Sequence, residues 1–99
     1  SIWVTGVQTC ALPIYPSADV ETQTRQILGE IDRLIAAAGS SKDRILTATV
    51  YLSDIGSFSQ MNRAWDSWVS KTAPPARATV EAKLAAPEYR VEIQVTAAL

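Results

Sequence analysis

The stretch Arg77-Ala78-Thr79-Val80-Glu81-Ala82-Lys83-Leu84 alternates polar and apolar residues without a break. A period of two belongs to a strand, whose successive side chains point to opposite faces of a sheet. Tyr89 to Ala97 repeats the pattern, setting Tyr89, Val91, Ile93 and Val95 against Arg90, Glu92, Gln94 and Thr96. The link Ala85-Ala86-Pro87-Glu88 is short enough for a hairpin, so these strands are expected to pair antiparallel. If Leu84 pairs with Tyr89, Glu81 stands opposite Glu92 on one face. Like charges so placed are destabilising unless Arg77, Lys83, Arg90, a ligand or another subunit compensates.

Upstream, Arg44 to Leu52 reads as another strand, with Leu46, Ala48, Val50 and Leu52 on one face and Ile45, Thr47, Thr49 and Tyr51 on the other. Between the strands lies a helix announced by Ser57-Phe58-Ser59-Gln60, where Ser57 as N-cap and Gln60 form a capping box. Phe58, Met61, Trp65, Trp68 and Val69 recur at helical spacing, and Lys71-Thr72-Ala73-Pro74-Pro75 stops the run. Trp65 and Trp68 read as packing anchors. A longer helix is expected from about Val20 to Ala38, entered through the turn Tyr15-Pro16-Ser17-Ala18-Asp19 with Asp19 or Ser17 as N-cap. Its apolar stripe is Val20, Ile27, Leu28, Ile31, Leu34, Ile35 and Ala38, with Glu21, Gln23, Arg25, Glu30 and Arg33 mostly outside it. Gly39 closes it as a C′ glycine.

These elements make an α+β domain of two layers: a mixed or antiparallel sheet with two helices on one face. The opposite face is expected to carry Arg77, Thr79, Glu81, Lys83, Arg90, Glu92, Gln94 and Thr96. Composition narrows the chemistry. The chain has 99 residues, no histidine and one cysteine, with 9 basic against 10 acidic residues. Within it there is therefore no Ser-His-Asp triad, no Cys-His pair, no histidine-ligated metal and no internal disulfide. A net charge of −1 gives no electrostatic footprint for nucleic acid, and no apolar run reaches the ~20 residues that would span a membrane. Any chemistry rests on Arg, Lys, Asp, Glu, Tyr, Thr, Ser or the backbone.

Residues 1–14 carry no charge, unlike the rest of the chain. Ile2 to Val7 passes as a short strand on propensity. However, Gly6-Val7-Gln8-Thr9-Cys10-Ala11-Leu12-Pro13-Ile14 resembles a peptide translated from sequencing-adapter DNA. The expectation is an artefactual segment at 1–14 and a single domain at 15–99 that lacks part of its N-terminal strands. Cys10 accordingly enters no mechanism.

Pro75-Ala76-Arg77-Ala78-Thr79-Val80-Glu81, then Leu84, then Val91-Glu92-Ile93, resembles the C-terminal signature of the RidA family, also called the YjgF family. Ala18-Asp19-Val20, Gln23 to Gln26, Ala48 to Ile55, and Phe58 with Met61-Asn62 are similar to the same family, in order, over about residues 16–98. The resemblance implies a chorismate-mutase-like fold assembled as a homotrimer, cytoplasmic, with sheets inside, helices outside and sites in clefts between subunits. It implies hydrolysis of enamines and imines such as 2-aminoacrylate to a 2-oxo acid and ammonia, with no metal, pyridoxal phosphate or flavin as cofactor. Residue by residue, Arg77 matches the arginine that holds the substrate carboxylate, and Glu92 the acidic residue that orients the attacking water. Thr79 stands where many relatives carry cysteine, keeping a hydroxyl and losing a thiol. Asn62 matches an asparagine near the site, while Thr5-Gly6 is a poor stand-in for the family's serine and glycine. A non-catalytic small-molecule-binding or regulatory trimer is the alternative, with Arg77 as carboxylate anchor and no turnover.

Overall fold

A computed structural model describes residues 6–11 and 18–99, with the backbone alone for Val7 and Cys10. The elements are β1 (Gly6–Ala11), α1 (Val20–Ala37), β2 (Ile45–Leu52), α2 (Phe58–Trp68), β3 (Ala76–Glu81) and β4 (Val91–Ala98), with short 3-10 turns at Lys42–Arg44 and Ile55–Ser57. Both helices pack on one mixed sheet of strand order β1-β4-β2-β3, so the two-layer α+β expectation holds. The expected strand at Ile2–Val7 and the turn residues Tyr15 to Ser17 lie, but for Gly6 and Val7, outside the described residues.

Helix α1 follows its sequence signals closely. Asp19 is extended and accepts a hydrogen bond from the Thr22 amide at 2.8 Å, satisfying a donor the first turn leaves open. At the other end Gly39 takes φ 86°, a left-handed value that favours glycine, and the Gly39 and Ser40 amides bond back to Ala36 and Ile35. The buried stripe departs from expectation at Gln23, which is fully buried, while Ala38 is exposed. Gln23 is accommodated because its Nε2 donates to the Ala18 and Glu88 carbonyls and its Oε1 accepts from the Arg90 amide. A buried amide is tolerated when its partners are built in.

The expected capping box at α2 does not form. Ser57 sits at φ −88°, ψ 11°, close to helical rather than extended, because the preceding 3-10 turn runs into the helix. Its hydroxyl donates to the Asp54 carbonyl, while Asp54 Oδ1 accepts from the Gly56 amide. Met61, Ala64 and Trp65 face inward and meet Ile27, Leu28 and Ile31 of α1 and Val50, Leu52, Val91, Ile93 and Val95 of the central strands in one core. Each large aliphatic side chain so buried contributes about 1.5–3 kcal/mol of transfer free energy.

The expected β3–β4 hairpin is overturned. β2 lies between the two strands, antiparallel to β4 and parallel to β3, with α2 as the crossover that a parallel pair requires. β3 ends at Glu81 and β4 begins at Val91, so the connection is long enough to pass the end of β2. Alternation reports which face a residue occupies, not which strand is its neighbour. The Glu81–Glu92 opposition therefore never arises: Glu81 is level with Leu52, and Glu92 with Tyr51.

The expected polar face is also divided. Arg77 and Thr79 register with Ala48 and Val50, whose side chains are buried under the helices, while Ala76, Ala78 and Val80 share the outer face with Thr47, Thr49 and Tyr51. On β4 the alternation keeps its expected sense, with Glu92, Gln94 and Thr96 outward. Arg77, Thr79 and Glu81 thus lie on the helix side and Glu92, Gln94 and Thr96 on the other, with Lys83 and Arg90 outside the strands. In β2 a register shift between Ile45 and Thr47 turns Ile45 into the core and leaves Leu46 52% exposed, reversing their expected faces. No helix among the described residues is long and apolar enough to cross a membrane.

Candidate functional site

Arg77 and Thr79 share the helix-side face of β3, and Arg77 meets the α2 stripe that also carries Asn62. On α2, Phe58, Asn62 and Trp65 fall at i, i+4 and i+7, one stripe of the helix. The Arg77 guanidinium lies over two rings of that stripe, its Cζ 5.1 Å from the Trp65 centroid and 5.7 Å from that of Phe58. Its Nη1 is 3.9 Å from the Met61 sulfur. A guanidinium stacked on aromatic faces is drawn in by the ring quadrupole, and Arg77 thereby occupies a core-side position that the alternation would give to an apolar residue.

Burial pushes the Arg77 pKa below the ordinary arginine value, and the negative charge of Asp66 partly offsets this. The cation survives, since arginine stays charged even when partly desolvated. Arg25, Arg33 and Arg63 are exposed and each takes a glutamate partner; Arg77 is half-buried and has none among the described residues. The nearby polar atoms are under-used as well. Asn62 Oδ1 and Thr79 Oγ1 are buried without a hydrogen-bond partner among the described residues, each at a cost of about 1–3 kcal/mol unless something supplies one. The half-buried cation and the Thr79 hydroxyl can donate to a small planar carboxylate, whereas Asn62 Oδ1 can only accept and suits an N–H donor such as an amine or imine nitrogen.

Glu92 is not part of this cluster. It projects from the opposite face of the sheet, on β4, with β2 between it and β3. None of the ion pairs among the described residues includes it, so the compensation expected from Arg90 or Lys83 is not made. Glu81 Oε1 instead accepts from the Ile55 amide at 3.1 Å and braces the turn after β2. A separate cleft of about 530 Å³ at the β3–β4 connection is lined by Ser53, Glu81, Lys83, Leu84 and Tyr89. Among the described residues no group of His, Cys, Asp and Glu side chains is placed to hold a metal ion.

The sequence reading missed Phe58 and Trp65 as partners of Arg77. Their shared helical stripe was visible, but it was assigned wholly to packing. Trp65 is indeed buried, and it meets Trp68 at 5.3 Å between centroids. Trp68 in turn donates from Nε1 to Asp32 at 2.9 Å, anchoring α2 to α1.

Comparison with known proteins bears on the same elements. The family model described as Endoribonuclease L-PSP matches residues 4–99. A RutC family protein from Haemophilus ducreyi is 48% identical over 88 residues, spanning 89% of this chain and 75% of the relative. The RutC family protein YoaB from Escherichia coli is 41% identical over 99 residues, 100% of this chain and 82% of the relative. The crystal structure of a YjgF family member from Neisseria meningitidis superposes with a TM-score of 0.87 at 44% identity, covering 91% of this chain and 75% of that one. With the match running from before β1 through β4, the chain belongs to the YjgF/RidA family, that of the Endoribonuclease L-PSP model and the RutC proteins.

Proposed function

We propose that this chain is one subunit of a homotrimeric hydrolase that converts reactive 2-enamino or 2-imino acids of the 2-aminoacrylate type to 2-oxo acids and ammonia. The observation that carries the reading is the half-buried Arg77 guanidinium, which has no carboxylate partner among the described residues and shares its strand face with Thr79, whose Oγ1 is likewise unpaired among them. Arg77 takes the substrate carboxylate through two charge-assisted hydrogen bonds. Thr79 and Asn62 offer a hydroxyl and an amide to the substrate's polar edge. The enamine tautomerises to the imine, water adds to the C=N carbon, and the resulting carbinolamine expels ammonia and leaves a C=O bond. Glu92 orients that water, accepts its proton and passes it to the carbinolamine nitrogen, so that ammonia leaves and the carboxylate is regenerated.

Arg77 and Glu92 of one chain face opposite sides of the sheet, so the mechanism takes Arg77 from one subunit and Glu92 from the next. The outer face favours such assembly, since Val80 and Leu46 are 42% and 52% exposed there. Ribonuclease chemistry, which the family description names, has less support in a chain with a net charge of −1 and no histidine.

The test is to generate 2-aminoacrylate in situ and follow 2-oxo acid release with the purified protein. Wild type accelerates release; Arg77→Ala abolishes the acceleration, and Glu92→Gln lowers kcat about 10²–10⁴-fold. No acceleration by wild type, or none lost in Arg77→Ala, overturns the reading. The separation of Glu92 from Arg77 favours one second reading, a carboxylate-binding trimer without turnover. Saturable binding of 2-oxobutyrate by an inactive wild type identifies it.

A further inference from the structure

The way Arg77 is held has a functional content of its own. A carboxylate partner would occupy the edge of the guanidinium, where the N–H donors lie. Aromatic faces attract the cation through its plane and consume none of those donors. Besides the two rings, the described contact of Arg77 is Nη1 against the Met61 sulfur at 3.9 Å, a weak acceptor. Asp66 is near enough to raise the pKa of Arg77 but forms no ion pair with it. Trp65 is fixed by burial in the core, whereas Phe58 is 41% exposed at the first position of α2. An exposed phenylalanine forming one side of an arginine clamp is placed to hold the cation at the mouth of the site.

We infer that Phe58 and Trp65 are positioning residues, which hold the Arg77 guanidinium against their rings with its donors met, among the described residues, only by the weakly accepting Met61 sulfur, and so make the site selective for ligands bearing a carboxylate. The inference rests on the reading of Arg77 as carboxylate anchor. Phe58 works through Arg77 and touches no reacting atom. Removing its ring leaves the cation on Trp65 alone and frees it to swing toward Asp66.

The experiment uses the assembled protein and two probes, 2-oxobutyrate and its neutral methyl ester, with binding measured by calorimetry. Wild type prefers the acid. Phe58→Leu weakens 2-oxobutyrate binding about 3- to 30-fold and leaves ester binding unchanged, the range expected for losing one cation–π contact. Phe58→Tyr keeps a ring and restores wild-type affinity, which separates the clamp from general damage to α2. The Arg77 Nε–H resonance, shifted by ring currents in wild type, moves toward the value of a free arginine in Phe58→Leu without any ligand. If Phe58→Leu binds the acid as tightly as wild type while wild type keeps its preference for acid over ester, the clamp is wrong and the anchor stands. If wild type shows no such preference, the anchor itself fails and the clamp with it.

Discussion

The amide of Gln23 joins three segments: the residue before α1, the β3–β4 connection and the entry to β4. Replacing it by leucine keeps the volume and strands the Arg90 amide and the Glu88 and Ala18 carbonyls. At about 1–3 kcal/mol for a stranded buried group, with the partly buried ones at the low end, Gln23→Leu is expected to cost about 2–4 kcal/mol. Urea unfolding followed by circular dichroism checks this through a lower midpoint at unchanged slope. Hydropathy placed Gln23 outside the stripe of α1, because a hydrogen-bonding partner 65 residues away leaves no trace in the local pattern. Arg77 was legible as a carboxylate anchor, from its residue type and the signature around it. Its setting was not, since the same Phe58 and Trp65 spacing serves a core equally well.

At the scale of elements, α1 was read almost to the residue, because caps and a glycine stop are local signals. The same caps make the helix acid-sensitive. Asp19 is held below the usual carboxylate range chiefly by the Thr22 amide, Glu21 by Arg25, and Glu30 by Arg33. A carboxylate whose pKa is depressed by folding contributes stability that is present above its unfolded pKa and is lost as pH falls through the folded one. The thermal midpoint should therefore fall as pH drops below about 4. Asp19→Asn keeps a capping oxygen but removes one titrating group, so its midpoint falls less between pH 7 and pH 3 than that of wild type. Thermal melts monitored by helical ellipticity at the two pH values decide it. The strands were read less well. The register shift in β2 exchanged Ile45 and Leu46, and the phase of β3 was inverted because an arginine stacked on aromatic rings fills an inward position.

The two-layer architecture of the whole molecule was legible from its sequence of elements, whereas strand order was not. Pairing of β4 with β1 and β2 is decided by which apolar faces the helices can cover together, a property of the assembled layers. The outer face gives the prediction that belongs to this scale. If the proposed trimer forms through this face, Val80→Asp, which places a charge among Ala76, Ala78 and Tyr51, should reduce the mass measured by light scattering and lower the proposed activity at dilute protein. Mixing Arg77→Ala with Glu92→Gln subunits tests site sharing directly. Each variant alone is expected to keep at most about a hundredth of wild-type activity, yet random mixing in a trimer with shared sites would rebuild up to about one site in four with both side chains intact. Recovery of activity on mixing is expected; its absence, with mixed assembly verified, would overturn a site shared between Arg77 and Glu92 of different subunits.

The pairing of Gly6 with Ala98 and of Ile45 with Ala97 makes β4 the keystone of the sheet, although it comes last of the four strands along the chain. During synthesis β2, α2 and β3 have their partners within a short span, but β1 and one edge of β2 wait for β4 to emerge. Until then β2 offers an unpaired row of amides and carbonyls, the kind of edge that recruits strands from other chains. Closing the longest of these loops also carries the largest entropy of closure and forms no contacts until it is complete. Insertion of β4 between β1 and β2 is therefore expected to come late in folding, and the interval before it is when a nascent chain exposes most strand edge to other chains.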